Sequence, residues 1–260
     1  TTKRFEMGSA FTRYGFRTDQ YSLYTDDFGN PILQGDREKL DSRPGINFFN
    51  VNAALVGDNS YSGLTAPLQG YRYRIGIDQN FGDLNFTGVT VDGRIYKRLK
   101  PISLAARVLH YGRYGENTNT LGAINNIAFP WFVRGYDYGR NEVTDANNLS
   151  SRNFIGDKML VTNFEIRMPF TGPEQLALIK SKFLLSDLNL FFDAGVAWDS
   201  FDQFVSDGNG DSNFKVKPVM SAGASLRVNL FGALILEPYL AVPIQKETKA
   251  VFGLNIVPGW

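Results

Sequence analysis

The sequence contains no cysteine, which excludes both a disulfide framework and a thiolate metal site. It contains a single histidine, His110, so a catalytic triad or a histidine-rich zinc site would depend on that one residue. We interpret His110 as an ordinary ring on a strand face. We predict no catalytic residues, no metal, no cofactor and no enzymatic activity.

A long apolar run and a strong net charge are also lacking. No window supplies the roughly 20 uninterrupted apolar residues of a membrane-spanning helix, and the N-terminus lacks the apolar core of a signal peptide. The 27 basic and 26 acidic residues give a formal net charge of +1, so nucleic acid is not a predicted partner. The 260 residues are interpreted as one domain, 1–260.

The clearest positive signal is a two-residue period. In residues 69–81 (QGYRYRIGIDQNF), Tyr71, Tyr73, Ile75 and Ile77 share one face and charged residues share the other. The pattern recurs in residues 158–168, 184–198, 216–228 and 247–256, and more weakly in 4–14, 46–57, 102–113 and 231–242. Residues 83–99 change phase near Gly88, where we predict a β-bulge.

About ten long antiparallel strands follow from these segments, and a further hairpin within residues 20–34 would raise the number towards twelve. A soluble sandwich needs shorter strands around a shared core. In a transmembrane barrel the apolar face meets lipid, and strands of roughly 9–11 residues cross the hydrocarbon. Short links also alternate with long polar ones at 16–45, 114–157 and 199–215. The sequence therefore predicts an all-β, transmembrane antiparallel β-barrel.

Five segments carry a resemblance to a known family. They are FVRGYDYG (132–139), VTNFEIRMPF (161–170), LNLFFDAGVAW (188–198), SAGASLRVNLFGALILEPYLAVPI (221–244) and FGLNIVPGW (252–260). In order and spacing they resemble the barrel domain of the BamA-type outer-membrane assembly superfamily, the bacterial surface antigens. That family has sixteen strands and periplasmic POTRA modules. Three explanations of the difference remain open: part of a longer protein, further strands in other segments, or a reduced member without POTRA modules.

The resemblance implies a role for the motif Val133, Arg134, Gly135 and Tyr136. In the family, the long loop that carries the arginine, here 114–157, folds back into the lumen. Its arginine meets acidic residues on the next two strands, here Glu165 and Asp193. Alternation independently places both carboxylates on the polar face. Gly135 is expected to permit the turn, and Val133 and Tyr136 to pack the loop against the inner wall.

The resemblance also implies a function. Family members insert or translocate proteins at the outer membrane of Gram-negative bacteria, through a weak seam between the first and last strands. Seam candidates in this chain are Phe252, Gly253, Leu254 and Trp260. The expected partners are outer-membrane lipids and client outer-membrane proteins or envelope complex subunits. Two alternatives remain open: an accessory barrel that anchors a partner domain or complex, and a passive pore.

Overall fold

The computed structural model describes residues 2–20, 23–33, 38–118, 125–136, 151–204, 216–232, 234–245 and 250–258. Within these ranges, ten long strands form one continuous antiparallel meander in which each strand pairs with the next along the chain. We number them β1 (Thr2–Tyr14), β2 (Ile46–Asp58), β3 (Pro67–Gly82), β4 (Phe86–Leu99), β5 (Ile102–Gly115), β6 (Lys158–Gly172), β7 (Leu185–Trp198), β8 (Val219–Leu230), β9 (Leu234–Pro243) and β10 (Val251–Pro258).

The two faces of this sheet have opposite chemistry. On β7, for example, Leu190 is 59% exposed on the outer face, whereas Asp193 is 0% exposed on the inner face. Other exposed apolar side chains on the outer face include Ile75, Ile77, Phe81, Phe164, Phe192, Phe252 and Ile256. A soluble domain buries its apolar face, so this inverted arrangement is that of a transmembrane β-barrel, with lipid against the outer face. The fold class predicted from the alternation is confirmed.

The connections fall at two ends of the sheet. At the short-turn end, residues 59–66, 100–101, 173–184 and 231–233 join successive strands. At the opposite end, which we call the long-loop end, the strands are joined by the three long connections 15–45, 116–157 and 199–218, together with 83–85 and 244–250. This division is the one that transmembrane barrels show between their turns and their loops.

The connections contain short strands and 3-10 helices. Thr18–Gln20 pairs with Glu38–Leu40, Leu23–Thr25 with Pro31–Leu33, Asn125–Asn126 with Ile155–Gly156, Tyr61–Ser62 with β3, and Ile179–Lys180, in parallel, with β6. Ser151–Phe154 and Phe201–Phe204 are 3-10 helices. Within the described ranges, no helix has the length and apolarity needed to cross a membrane.

Two details of the sequence interpretation need correction. The hairpin in residues 20–34 exists, as Leu23–Thr25 with Pro31–Leu33, but it forms a separate two-stranded sheet and adds nothing to the main one. The prediction of a β-bulge near Gly88 was wrong, because β4 pairs with β3 and β5 in unbroken register. Its alternation is blurred because two aromatic residues, Phe86 and Tyr96, share the inner-face parity of Asp92.

The first and last strands end the meander. All thirteen residues of β1 pair with β2, and all eight residues of β10 pair with β9. Over the described residues no backbone pairing joins β1 to β10. The side chains of β1 are exposed along most of its length, whereas the inner faces of β6 and β7 are buried. The interior is therefore filled beside the C-terminal strands, where the long loop enters.

Candidate functional site: the lumenal arginine cluster

A folded segment of the long loop, residues 125–136, enters the interior from the long-loop end. Its base is the short pairing of Asn125–Asn126 with Ile155–Gly156, continued by a hydrogen bond from the Ile127 N–H to the Phe154 carbonyl at 2.9 Å. A turn follows, in which the Val133 N–H donates to the Phe129 carbonyl at 3.0 Å. This turn presents Arg134 to the inner faces of the C-terminal strands.

Residues on either side of Arg134 lock the loop against the wall. Val133 is fully buried and lies over Gly195, where a Cβ atom would stand 2.8 Å from the valine Cγ2. Gly135 has a positive φ of 90°, a conformation that L side chains rarely adopt. The Tyr136 hydroxyl lies 2.9 Å from the Met220 carbonyl. The motif therefore combines a packed valine, a glycine-dependent turn and a tethered tyrosine.

Arg134 binds three carboxylates from three strands. It makes a two-pronged contact with Asp193 of β7, in which Nε lies 2.7 Å from Oδ2 and Nη2 lies 2.8 Å from Oδ1. Nη2 also donates to Glu165 of β6 at 2.9 Å, and Nη1 donates to Glu237 of β9 at 2.9 Å. The guanidinium carbon stands 3.6 Å from the centre of the Phe191 ring, within cation–π range.

This cluster is buried: Arg134 is only 3% exposed, and its three carboxylates are buried too. Burial alone lowers the pKa of the Arg134 guanidinium, but the charges of Glu165, Asp193 and Glu237 outweigh burial and raise that pKa above its usual value. Each charge-assisted hydrogen bond of this kind contributes roughly 1.5–3 kcal/mol. The loop is therefore fixed in the lumen by these charges together with the apolar contacts of Ile127, Val133 and Tyr136.

Two further arginines balance the carboxylates. Arg227 of β8 lies between Glu165, at 3.0 Å from Nη2, and Glu237, at 3.3 Å from Nε. Arg167 of β6 binds the other oxygen of Glu165, with its Nε 2.7 Å from Oε2. Three arginines and three carboxylates thus form one continuous buried network, and no charge within it lacks an opposite partner.

The structure brings Arg134 together with both residues expected from the sequence, Glu165 and Asp193. Sequence reasoning did not assign four contributors to this site: Arg167, Arg227, Glu237 and Asn163. Glu237 is the only charged residue of β9, an otherwise largely apolar strand, and it is buried on the inner face. A single charge in such a strand could have indicated a partner for the loop arginine. Asn163, whose Nδ2 donates to the Phe132 carbonyl at 2.7 Å, was noted on the polar face but not assigned to the loop.

The seam candidates lie apart from this cluster. Phe252 and Leu254 are exposed on the outer face of β10, and Trp260 lies outside the described residues. Gly253 turns inward against the ring of Tyr239, where any Cβ atom would collide with the aromatic carbons. Gly253 therefore has a packing role on β9 in addition to the expected one in the seam.

His110 takes part in local contacts on β5. Its Nδ1 lies 2.9 Å from the Met159 carbonyl, its Nε2 lies 2.9 Å from the Tyr114 hydroxyl, and its ring stacks on Trp198. Among the residues described, no group of three or more histidine, aspartate or glutamate side chains is arranged to hold a metal ion.

An antiparallel strand meander with an apolar outer face, a charged inner face and a loop clamped inside defines an all-β outer-membrane-type barrel. The sequence pattern of the Omp85 superfamily domain matches residues 1–251 of the chain. The protein belongs to the Omp85 superfamily, a family of outer-membrane protein insertion and translocation. A comparison with curated proteins finds no significant match.

Proposed function

We propose that this chain is an outer-membrane barrel that inserts or translocates client proteins, and that the Arg134 loop is the lumenal element that holds its C-terminal strands in place. The observation that carries the proposal is the clamp of three carboxylates around Arg134 in a chain of the Omp85 superfamily. The proposed reaction uses no covalent chemistry and no cofactor, since its free energy comes from the folding of the client.

The two strand edges supply the proposed working surface. One edge of β1 and one edge of β10 have no backbone partner within the described part of the chain. Such edges present unpaired N–H and C=O groups, to which an extended client segment adds as a new strand. Strands β6, β7 and β9 cannot separate in the same way, because Arg134 links them to one another. Opening is therefore proposed at β1 and β10.

The test is client insertion into vesicles of phosphatidylethanolamine and phosphatidylglycerol. A urea-unfolded, eight-stranded outer-membrane barrel is added to vesicles that contain this protein, and its folded fraction is followed by its altered mobility on unheated gels. We expect faster folding than in vesicles that contain an unrelated barrel of similar size. Equal rates in the two preparations would remove insertase activity and leave an accessory or anchoring role.

A passive pore is a second candidate, favoured by one observation. A cavity of about 280 Å³ lies beside the clamp and is lined by charged side chains that include Arg94, Arg107 and Glu165. As a pore, the protein should show steady conductance in planar bilayers without any client. Arg134→Ala should raise that conductance by freeing the loop, whereas Arg74→Gln, on the inner face of β3 away from the loop, should leave it unchanged.

A further inference from the structure

A second insert enters the interior from the opposite end. Residues 62–67, which we call the 62–67 turn, comprise the end of the connection from β2 to β3 and the first residue of β3, at the short-turn end. Within this turn the Gly63 N–H donates to the Ala66 carbonyl at 2.8 Å. Leu64 and Thr65 are buried although they belong to a connecting turn. Connecting turns ordinarily lie on the surface, so this burial needs specific partners.

The partners come from strands far along the chain. The Thr65 hydroxyl donates to the carboxylate of Asp187 on β7, and the Asn229 side-chain amide on β8 donates to the Leu64 carbonyl at 2.7 Å. Leu64 also packs over Gly172, the last residue of β6. Asp187 is itself buried, and its second oxygen has no hydrogen-bond partner among the described residues. Among the described residues, the turn therefore supplies the hydrogen bond to the buried carboxylate of Asp187.

One side chain contacts both the 62–67 turn and the network that holds the loop. Arg167 Nη1 donates to the Pro67 carbonyl at 3.2 Å, while its Nε and Nη2 lie 2.7 and 2.6 Å from Oε2 of Glu165. The other oxygen of Glu165, Oε1, accepts the hydrogen bond from Arg134. A continuous path of four groups therefore joins the turn to the loop: the Pro67 carbonyl, Arg167, Glu165 and Arg134.

We propose that the 62–67 turn is a second lumenal plug, and that Arg167 is the positioning residue that couples it to the Arg134 loop. Release of either insert should then loosen the other. When the loop leaves its site, Glu165 loses Arg134, one of its three arginine partners. The Glu165 oxygens then shift towards Arg167 and Arg227, and the hydrogen bond from Arg167 to the Pro67 carbonyl weakens.

The planar guanidinium is what makes the bridge possible. Arg167 needs one nitrogen for the Pro67 carbonyl and two for Glu165, and a fixed fork of donors reaches both at once. Lysine keeps the charge beside Glu165 but presents a single nitrogen. Arg167→Lys should therefore preserve the loop and lose the coupling, which a residue that merely supports the fold would not do.

The coupling is measured by amide hydrogen exchange on the full chain in detergent, followed separately in peptides that cover 62–67 and 125–136. We expect Asn229→Ala to speed exchange in the turn and also in the loop, and Arg134→Ala to speed it in the loop and also in the turn. Coupling between sites is reciprocal, and its usual range begins at about fivefold, so each cross-effect should be about fivefold or more.

In an Arg167→Lys background each substitution should affect its own segment only. Arg74→Gln, whose arginine pairs with Glu6 and touches neither insert, serves as the matched control and should alter neither peptide. The proposal is overturned if Asn229→Ala leaves the loop protected, or if the cross-effects persist with lysine at 167. Should Arg167→Lys fail to fold, the reciprocal effects in the unmodified background still decide the matter.

The coupling rests on the proposed function only in that the Arg134 loop is taken to hold the C-terminal strands in place. Exchange is measured without any client protein, so failure of client insertion and failure of the coupling are separate results. Coupled exchange without insertion would keep the two-plug arrangement and remove the insertase. Insertion without coupled exchange would do the reverse.

Discussion

Arg134 and Glu237 stand 103 positions apart in the chain, yet Arg134 Nη1 lies 2.9 Å from Glu237 Oε1. Because the same guanidinium also binds Glu165 and Asp193, one loop residue ties three strands of the sheet together from inside. In an ordinary protein a hydrophobic core performs this task. Here the outer face meets lipid, so cohesion of the C-terminal half depends on the inner face, where these buried charges lie beside an apolar cluster that includes Val133, Tyr136 and Val161.

Glu237→Ala should weaken this half of the barrel. It leaves three buried arginines facing two carboxylates, and loss of one partner from a buried ion pair costs about 3–5 kcal/mol. Glu237→Gln keeps the shape and one acceptor oxygen, so its cost should be smaller. The measurement is the temperature at which the folded band disappears on gels. Glu174→Gln, which breaks only the exposed pair with Lys180, should leave that temperature unchanged.

The faces of the strands could be predicted from the sequence because alternation is a local property. Every side chain of β7, from Leu188 to Asp193, lies on the face that its parity indicates. The same parity placed Glu165 and Asp193 on the inner wall, where a loop arginine could reach both. For these residues, spacing along a strand and the resemblance agreed.

Other features depend on long-range geometry and could not be predicted from the alternation of side chains along single strands. The curvature of the sheet brings Glu237 across to Arg134, and a strand pattern does not specify curvature. Two aromatic residues, Phe86 and Tyr96, lie on the inner face and disturb the alternation in the way that a β-bulge would. The apolar character of a side chain does not by itself show whether it faces lipid or the lumen. Burial of Thr65 depends on partners more than 100 positions away, such as Asp187.

Asp193→Lys should expel the loop from the lumen. The substitution replaces the two-pronged partner of Arg134 with a like charge in a site that is fully buried. We expect cleavage within 125–136 by trypsin under conditions where the unmodified protein resists it. Asp78→Lys reverses a charge on the inner face of β3, away from the loop, and should leave 125–136 protected. Equal protection in all three proteins would remove the case for ion pairing.

Gly135→Ala should destabilise the loop through its backbone. Residue 135 has a φ of 90°, and a Cβ atom there would stand 2.9 Å from the Cβ of Ala241. Strain of this kind costs about 1–3 kcal/mol. Hydrogen exchange of 125–136 should accelerate while that of β1 to β3 stays unchanged. Gly93→Ala, at a position with open space around it, is the matched control, and an equal effect there would contradict the steric argument.

Gly253→Ala should loosen β10 from β9, because its Cβ atom would collide with the ring of Tyr239 on the inner face. Overpacking of a filled interior costs about 1–3 kcal/mol, so exchange of the amides in 251–258 should rise. Leu254→Ala, one position along on the outer face, creates no such collision and serves as the control. Adding Tyr239→Leu to Gly253→Ala removes the ring and should restore protection. If the double variant exchanges as fast as Gly253→Ala alone, the glycine acts through backbone freedom in the strand and not through contact with Tyr239.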